Sequence, residues 1–286
     1  CNGSLASFEA DADGDGGMIC AGDCEDDDAG LYPGGTGYHV VPDDHGTIQA
    51  AIDAATTGDY ICVKAGTYVE NVTYSGKDLH IKGLDGAEST IIDGNDAGYA
   101  VEFAGSETAA AVLEAVTVTN GHGTYGGGIS VWQASPTLID ITASANTSDT
   151  FGGGIFVYQG SCTMTGLTLD SNDCAFKGGG ICVGQAASFT LTDVVATNNS
   201  AGQHGGGLYI EQTPAVITDV VASDNIAVSA GGLHLNQADV TISNITLQDN
   251  DATEYGGGMY IFESSPVLSN VIISGNEAVL NGGGAF

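Results

Sequence analysis

Asn199-Ser200-Ala201-Gly202-Gln203-His204-Gly205-Gly206-Gly207-Leu208-Tyr209-Ile210 holds, in one stretch, both markers that decide the fold of this 286-residue chain. The first is an Asn, and the second, six residues on, is a glycine run that leads into alternating aliphatic residues. A Gly-Gly pair followed by an aliphatic residue or Ala ends at Gly128, Gly154, Gly180, Gly207, Gly232, Gly258 and Gly284, with spacings of 26, 26, 27, 25, 26 and 26. An Asn recurs at Asn120, Asn146, Asn172, Asn199, Asn225, Asn250 and Asn276. Two independent markers with one period define a structural repeat.

Within each repeat the apolar pattern has period two, as in Ile129-x-Val131, Ile155-x-Val157, Ile181-x-Val183, Leu208-x-Ile210, Leu233-x-Leu235 and Met259-x-Ile261. That is strand alternation. A second apolar column reads Leu138, Met164, Leu191, Ile217, Ile242 and Leu268, and a third Ile141, Leu167, Val194, Val220, Ile245 and Val271. Between these two stand Asp140, Gly166, Asp193, Asp219, Asn244 and Asn270, residue types that accept turn conformations, so a bend is expected there. A propeller blade needs about 40 residues, and a leucine-rich repeat would show its own Leu spacing. An all-β parallel β-helix of roughly 26 residues per coil is the expected fold, with the seven Asn forming an inward ladder whose amides bond from coil to coil.

The GG-[GA]-[ILM] motif with its companion Asn resembles the repeats of chlamydial polymorphic outer membrane proteins and related bacterial surface β-helices over about residues 100 to 286. The resemblance implies a right-handed solenoid. Ahead of the repeats, Thr47-Ile48-Gln49-Ala50-Ala51-Ile52-Asp53-Ala54-Ala55 places Ile48, Ala51, Ile52 and Ala55 on one helical face. With the strand-like segments that follow, it resembles the start of pectin-lyase-like β-helices, where a short helix plugs the open end of the solenoid. The expected organisation is an Asp-rich segment over residues 1–37, a cap helix and first coils over 38–100, and regular coils over 101–286. Nothing similar covers the coil beginning at Gly282, so either a longer native chain or end-to-end contact with another molecule is expected there.

Charge restricts the partners: 36 Asp and Glu against four Lys and no Arg give a formal charge of −32. Nucleic acid and anionic lipid lose their electrostatic attraction, while divalent cations gain it. No apolar run approaches the ~20 residues of a transmembrane helix. Asp11, Asp13 and Asp15 alternate, with Gly16 after the third, as at the opening of a calcium loop. Position twelve of that loop is Gly22 rather than Glu, so Asp23, Asp26 and Asp28 are expected to complete a Ca²⁺ site. The stretch resembles an Asp-rich metal-binding repeat of bacterial surface proteins, in which the equivalents of Cys20 and Cys24 pair. The beginning Cys1-Asn2-Gly3-Ser4 resembles a mature bacterial lipoprotein lipidated at Cys1, which leaves six thiols for up to three disulfides in an extracellular, cell-surface setting.

Pectate lyases, pectin methylesterases and polygalacturonases share this architecture, and Gly121-His122-Gly123 echoes the histidine motif of the last. Those families set a basic residue, usually Arg, against the substrate carboxylate, whereas here Lys177 is the lone cation of the repeats. The six His occupy unrelated phases and indicate no metal. Outward positions of the first strand carry Trp132, Phe156, Tyr158, Tyr209, Tyr260 and Phe262, an aromatic stripe suited to stacking on sugar rings or packing against a neighbour. The expected function is therefore a non-catalytic surface scaffold, adhesin or fibre subunit that binds itself or a surface glycan. The alternatives are a carbohydrate-active lyase or hydrolase and a glycan-binding module without turnover.

Overall fold

The structure is a computed structural model that describes residues 37–286. The chain is an all-β, right-handed parallel β-helix with a short N-terminal helix. Each regular coil gives one strand to each of three parallel sheets, as Cys162–Asp170, Asp173–Cys174 and Ile181–Gly184 do in one coil. Stacking keeps one register, with Ile155 opposite Ile181, then Leu208, Leu233 and Met259. The apolar columns read from the sequence lie inside, and Leu191, Val194, Ile217 and Val220 are buried in a single continuous core.

The turn positions are left-handed. Asp140, Asp193, Asp219, Asn244 and Asn270 have φ between 51° and 56° and bend the long strands. A second left-handed column, Ala145, Ser171, Asn198 and Asp224, stands just before the next corner. There Asn146, Asn172, Asn199, Asn225, Asn250 and Asn276 join in series. The Nδ2 of Asn146 donates to Asn172 Oδ1 at 3.0 Å, Asn172 to Asn199 at 3.0 Å, and the series runs on to Asn276. Asn120 is a correction to the ladder expected from spacing. It occupies the left-handed column, with φ 51°, and its amide donates outward to Asp93. The position in register with Asn146 is Gly121, whose N–H donates to Asn146 Oδ1 at 2.9 Å.

Each glycine run answers two needs. Its first member takes positive φ, as at Gly178 with φ +70°, while the next packs against backbone. A Cβ on Gly179 would sit 2.4 Å from the carbonyl oxygens of Ser200 and Gly206. Only glycine lets the coils stack here.

The helix spans Ile48–Ala54, capped by Thr47, with Ile48, Ala51 and Ile52 buried. Residues distant in sequence close its ends. Glu70 accepts the N–H groups of Ile48 and Gln49 at 2.9 Å, and Lys77 Nζ donates to the carbonyls of Ile52 and Ala55 at 2.6 and 2.8 Å. Both pairings suit the helix dipole.

The six-thiol disulfide framework is corrected: Cys162, Cys174 and Cys182 are free and buried. They stand in three different surroundings, Cys162 in the main core, Cys174 beside Ala201 and Ala227, and Cys182 beside Phe156 and Tyr209. Burial pushes the thiols of Cys162 and Cys174 up to about 12, so they behave as small apolar side chains. Cys62 is not one of the free thiols. The expected Ca²⁺ ligands Asp11, Asp13, Asp15, Asp23, Asp26 and Asp28, the Cys20–Cys24 pairing and lipidation at Cys1 lie outside the described residues.

Candidate functional site

The strands that follow the glycine runs point alternate side chains away from the core, yet those side chains are not a surface stripe. The left-handed glycine turns the preceding segment back over the sheet, and the residue just before each run becomes a wall. That wall column is Tyr125, Phe151, Lys177, His204, Ser229 and Tyr255. The floor is Ser130, Phe156, Cys182, Tyr209, His234 and Tyr260, and the opposite wall is Trp132, Tyr158, Gly184, Glu211, Asn236 and Phe262. A trough results, three residues across, with one row per coil.

The stripe expectation is corrected accordingly. Phe156 and Tyr209 are floor residues, 4% and 1% exposed, and Tyr158 and Tyr260 are half-buried, so only Trp132 and Phe262, at 40% and 45%, are open to solvent. The rows differ in chemistry along the trough. At one end Tyr125, Trp132, Phe151, Phe156 and Tyr158 pack ring to ring, with Trp132 and Tyr158 centroids 4.9 Å apart. At the other Tyr255, Tyr260 and Phe262 do the same. Three polar rows lie between.

Lys177 anchors the polar rows. Its Nζ is 3.4 Å from both carboxylate oxygens of Glu211 and lies over the Tyr209 ring, 4.6 Å from its centroid. Asn236 Nδ2 donates to Glu211 Oε1 at 2.7 Å and to Tyr209 Oη at 2.9 Å. Burial works against the Lys177 charge, but Tyr209 and Glu211 outweigh it and raise its pKa. Burial raises that of Tyr209, against the pull of Lys177 and Asn236. His204 and His234 meet with ring centroids 4.8 Å apart, though their places in the sequence show no common phase. Burial, and for His204 the nearby Lys177, lowers both imidazoles, that of His234 to about 3. Both are neutral at pH 7.

In the wall that begins at Trp132, Gly184, without a side chain, stands between Tyr158 and Glu211. Outside this wall runs a ladder of amides from Gln133 through Gln159, Gln185, Gln212 and Gln237 to Glu263, with contacts of 2.6 to 3.3 Å. The trough thus combines ring faces for stacking, a polar centre and an amide rim. Sequence reading identified the floor and one wall, singling out their aromatic members, but missed the other wall of Tyr125, Phe151, Lys177, His204, Ser229 and Tyr255. The signal was present as the residue preceding each glycine run.

His122, from the polygalacturonase-like motif, is elsewhere, on strand His122–Tyr125. It bridges Asp149 and Asp96 at 3.1 and 2.8 Å, and those two bonds raise its pKa. Among the described residues no group of three or more His, Cys, Asp or Glu is placed to hold a metal ion. None of their helices is long and apolar enough to cross a membrane.

The family described as "Right handed beta helix region" matches residues 127–286. Among solved structures, the chain is similar to ORF18 of Geobacillus virus E2, with 12% identity and a TM-score of 0.32. That alignment covers 80% of this chain and 56% of the viral one, so the chain spans little more than half of that protein's length. It is similar also to a pectin methylesterase mutant in complex with a hexasaccharide, with 12% identity and a TM-score of 0.32 over 77% of each chain. No curated protein matches.

Proposed function

Since the chain belongs to the right-handed β-helix family, we propose that it is a non-catalytic extracellular solenoid that binds glycan chains along its aromatic trough. The observation that carries this reading is the trough itself. Half-exposed rings at both ends offer faces to sugar rings, and the amide rim offers donors and acceptors along the same line. Turnover is not part of the proposal. Glu211, a carboxylate in the polar rows, is held by Lys177 and Asn236 rather than poised beside a second carboxylate, so general acid–base chemistry lacks a free pair. A glycan array probed with the full chain tests the reading. Trp132→Ala should weaken every bound glycan by at least about tenfold, the scale of a lost stacking residue. Binding that survives this substitution unchanged would place the glycan elsewhere.

A scaffold role rests on a different face. On the long-strand sheet, Thr168, Val195, Val221, Thr246 and Ile272 form one outward column, and Thr163, Thr190, Val216, Thr241 and Val267 form another beyond the bend. Neither column contains a charge, although the chain carries −32. Val195, Val216 and Val221 are exposed on either side of the bend at Asp193 and Asp219, and these two uncharged columns favour lateral pairing of two copies. Sedimentation should show a concentration-dependent dimer that Val216→Lys abolishes. We place the protein on the bacterial surface, in keeping with its likeness to polymorphic outer membrane protein repeats, and assign Ca²⁺ to the Asp-rich segment. Calorimetry on the full chain, with the Asp11, Asp13 and Asp15 triple Ala variant as control, tests that assignment.

A further inference from the structure

The polar rows contain two defects by ordinary packing standards. Nδ1 of His204 and Nδ1 of His234 are both buried without a hydrogen-bond partner, and His234 is 4% exposed. Buried polar atoms are nearly always paired, and an orphan calls for an explanation. Both rings line one cavity, together with Tyr209, Asn236, Glu254 and Tyr260. Two adjacent rings that line one cavity, each with an unpaired nitrogen, mark a place where a ligand can complete the bonding.

Resting on the glycan reading above, we propose that this cavity is the subsite that selects the ligand, and that it selects an uncharged sugar unit by pairing its hydroxyls with His204 and His234. The chemistry is as follows. A hydroxyl both donates and accepts, so it satisfies a neutral imidazole nitrogen in either tautomer. A carboxylate only accepts, and it would meet Glu254 at the cavity and Glu211 beside Lys177. Lys177 is already engaged by Glu211 and does not offset them. A uronate or sulfated unit is therefore excluded by charge, and the chain's −32 adds to this.

The test is calorimetry on the full chain with cellohexaose and hexagalacturonate, repeated on His234→Leu and His234→Gln. We expect cellohexaose to bind at least about tenfold more tightly than hexagalacturonate. We expect His234→Leu to lose at least about tenfold of that affinity while its melting temperature stays level or rises, because the substitution removes a buried unpaired group. His234→Gln, which keeps a donor and an acceptor, should retain more affinity than the Leu variant. Unchanged cellohexaose affinity in a folded His234→Leu protein would overturn the subsite and assign the orphan nitrogens to bound water. Equal or tighter binding of hexagalacturonate would overturn the selectivity. If His234→Leu does not fold, the same loss is read from His204→Leu. Loss of binding in Trp132→Ala with no effect at His234 would leave the glycan reading standing without this one. Absence of binding by every glycan would overturn both.

Discussion

Asn199 saturates its side chain. Its Nδ2 donates to Leu169 O at 2.9 Å and to Asn225 Oδ1 at 3.0 Å, while its Oδ1 accepts from the N–H and the Nδ2 of Asn172 at 3.1 and 3.0 Å. Replacing it with Leu leaves Leu169 O and two Asn172 donors without partners in the interior. Each such group costs about 1–3 kcal/mol, so Asn199→Leu should lower unfolding free energy by at least that amount in urea melts. Thr163→Ala, on the exposed face, should change it by less than about 0.5 kcal/mol. Thr197 is unsuitable as the control, since its hydroxyl bonds Asp170 at 2.8 Å. Equal midpoints for the two variants would mean that the series contributes no stability. Two histidines set opposite pH trends. The His122 pKa is raised by Asp149 and Asp96, so its contribution is full below the ordinary value of 6.5 and is lost as pH rises through the folded value. Burial, with His204 beside it, lowers His234 to about 3. Below pH 6.5 the unfolded chain therefore takes up a proton that the folded chain refuses, and stability falls progressively as pH drops toward 3. Imidazole NMR at pH 5 should show His122 charged and His234 neutral. A charged His234 at that pH would contradict its burial.

At the scale of the element, the glycine corner is the unit that builds the trough, and one coil deviates from it. Ala230 stands where the other corners begin with glycine and carries φ +59°, against +65° at Gly205. A non-glycine residue in that region costs about 1–2 kcal/mol, and glycine's greater unfolded-state freedom returns part of it. Ala230→Gly should therefore raise stability by about 0.5–1 kcal/mol. Gly179→Ala should do the reverse, by about 1–3 kcal/mol or more, because its Cβ meets carbonyl oxygens at 2.4 Å that cannot move without displacing two coils. A thermal melt of each separates the two roles of glycine, and a destabilised Ala230→Gly would refute the assignment at the first position. These corners also explain what the sequence did and did not disclose. Strand columns at Ile155, Ile181 and Leu208 were legible because stacking repeats one environment at one spacing, and Asp193 and Asp219 announced bends by residue type. Asn120 misled because the coil shortens by one residue there, and Asn is equally at home in a left-handed turn. The wall of the trough was illegible because Phe151, Lys177 and His204 share no chemistry. Only the backbone reversal at the following glycine reveals their common place.

For the whole molecule the ruling quantity is charge. Two terms compete when salt is added: screening relaxes the self-repulsion of a −32 chain, and it also weakens native ion pairs. The second term is small here. Of the four Lys, Lys64 pairs with Asp43, Lys82 with Glu114 and Lys177 with Glu211, while Lys77 binds helix carbonyls. The Lys64 pair is on the surface, where such a bridge contributes about 0–1 kcal/mol. Repulsion involves 36 acidic groups. The melting temperature should therefore rise with NaCl from about 10 mM to about 500 mM, over which the screening length falls from about 30 Å to about 4 Å. The steepest change is expected at the low end, where distant charges still interact. Part of that repulsion comes from the nine carboxylates between Glu9 and Asp28, which gives the experiment a second arm. In chelator-treated protein, CaCl₂ at matched ionic strength should raise the melting temperature above the NaCl curve and saturate, since binding to the native state adds RT ln(1 + [L]/Kd) to screening. MgCl₂ should fall nearer the NaCl curve, because Ca²⁺ tolerates varied arrangements of oxygen ligands whereas Mg²⁺ demands a near-ideal octahedron. A melting temperature that falls with NaCl would show that native ion pairs outweigh repulsion. Coincident CaCl₂ and MgCl₂ curves would reduce the Asp-rich segment to a charged stretch without a site.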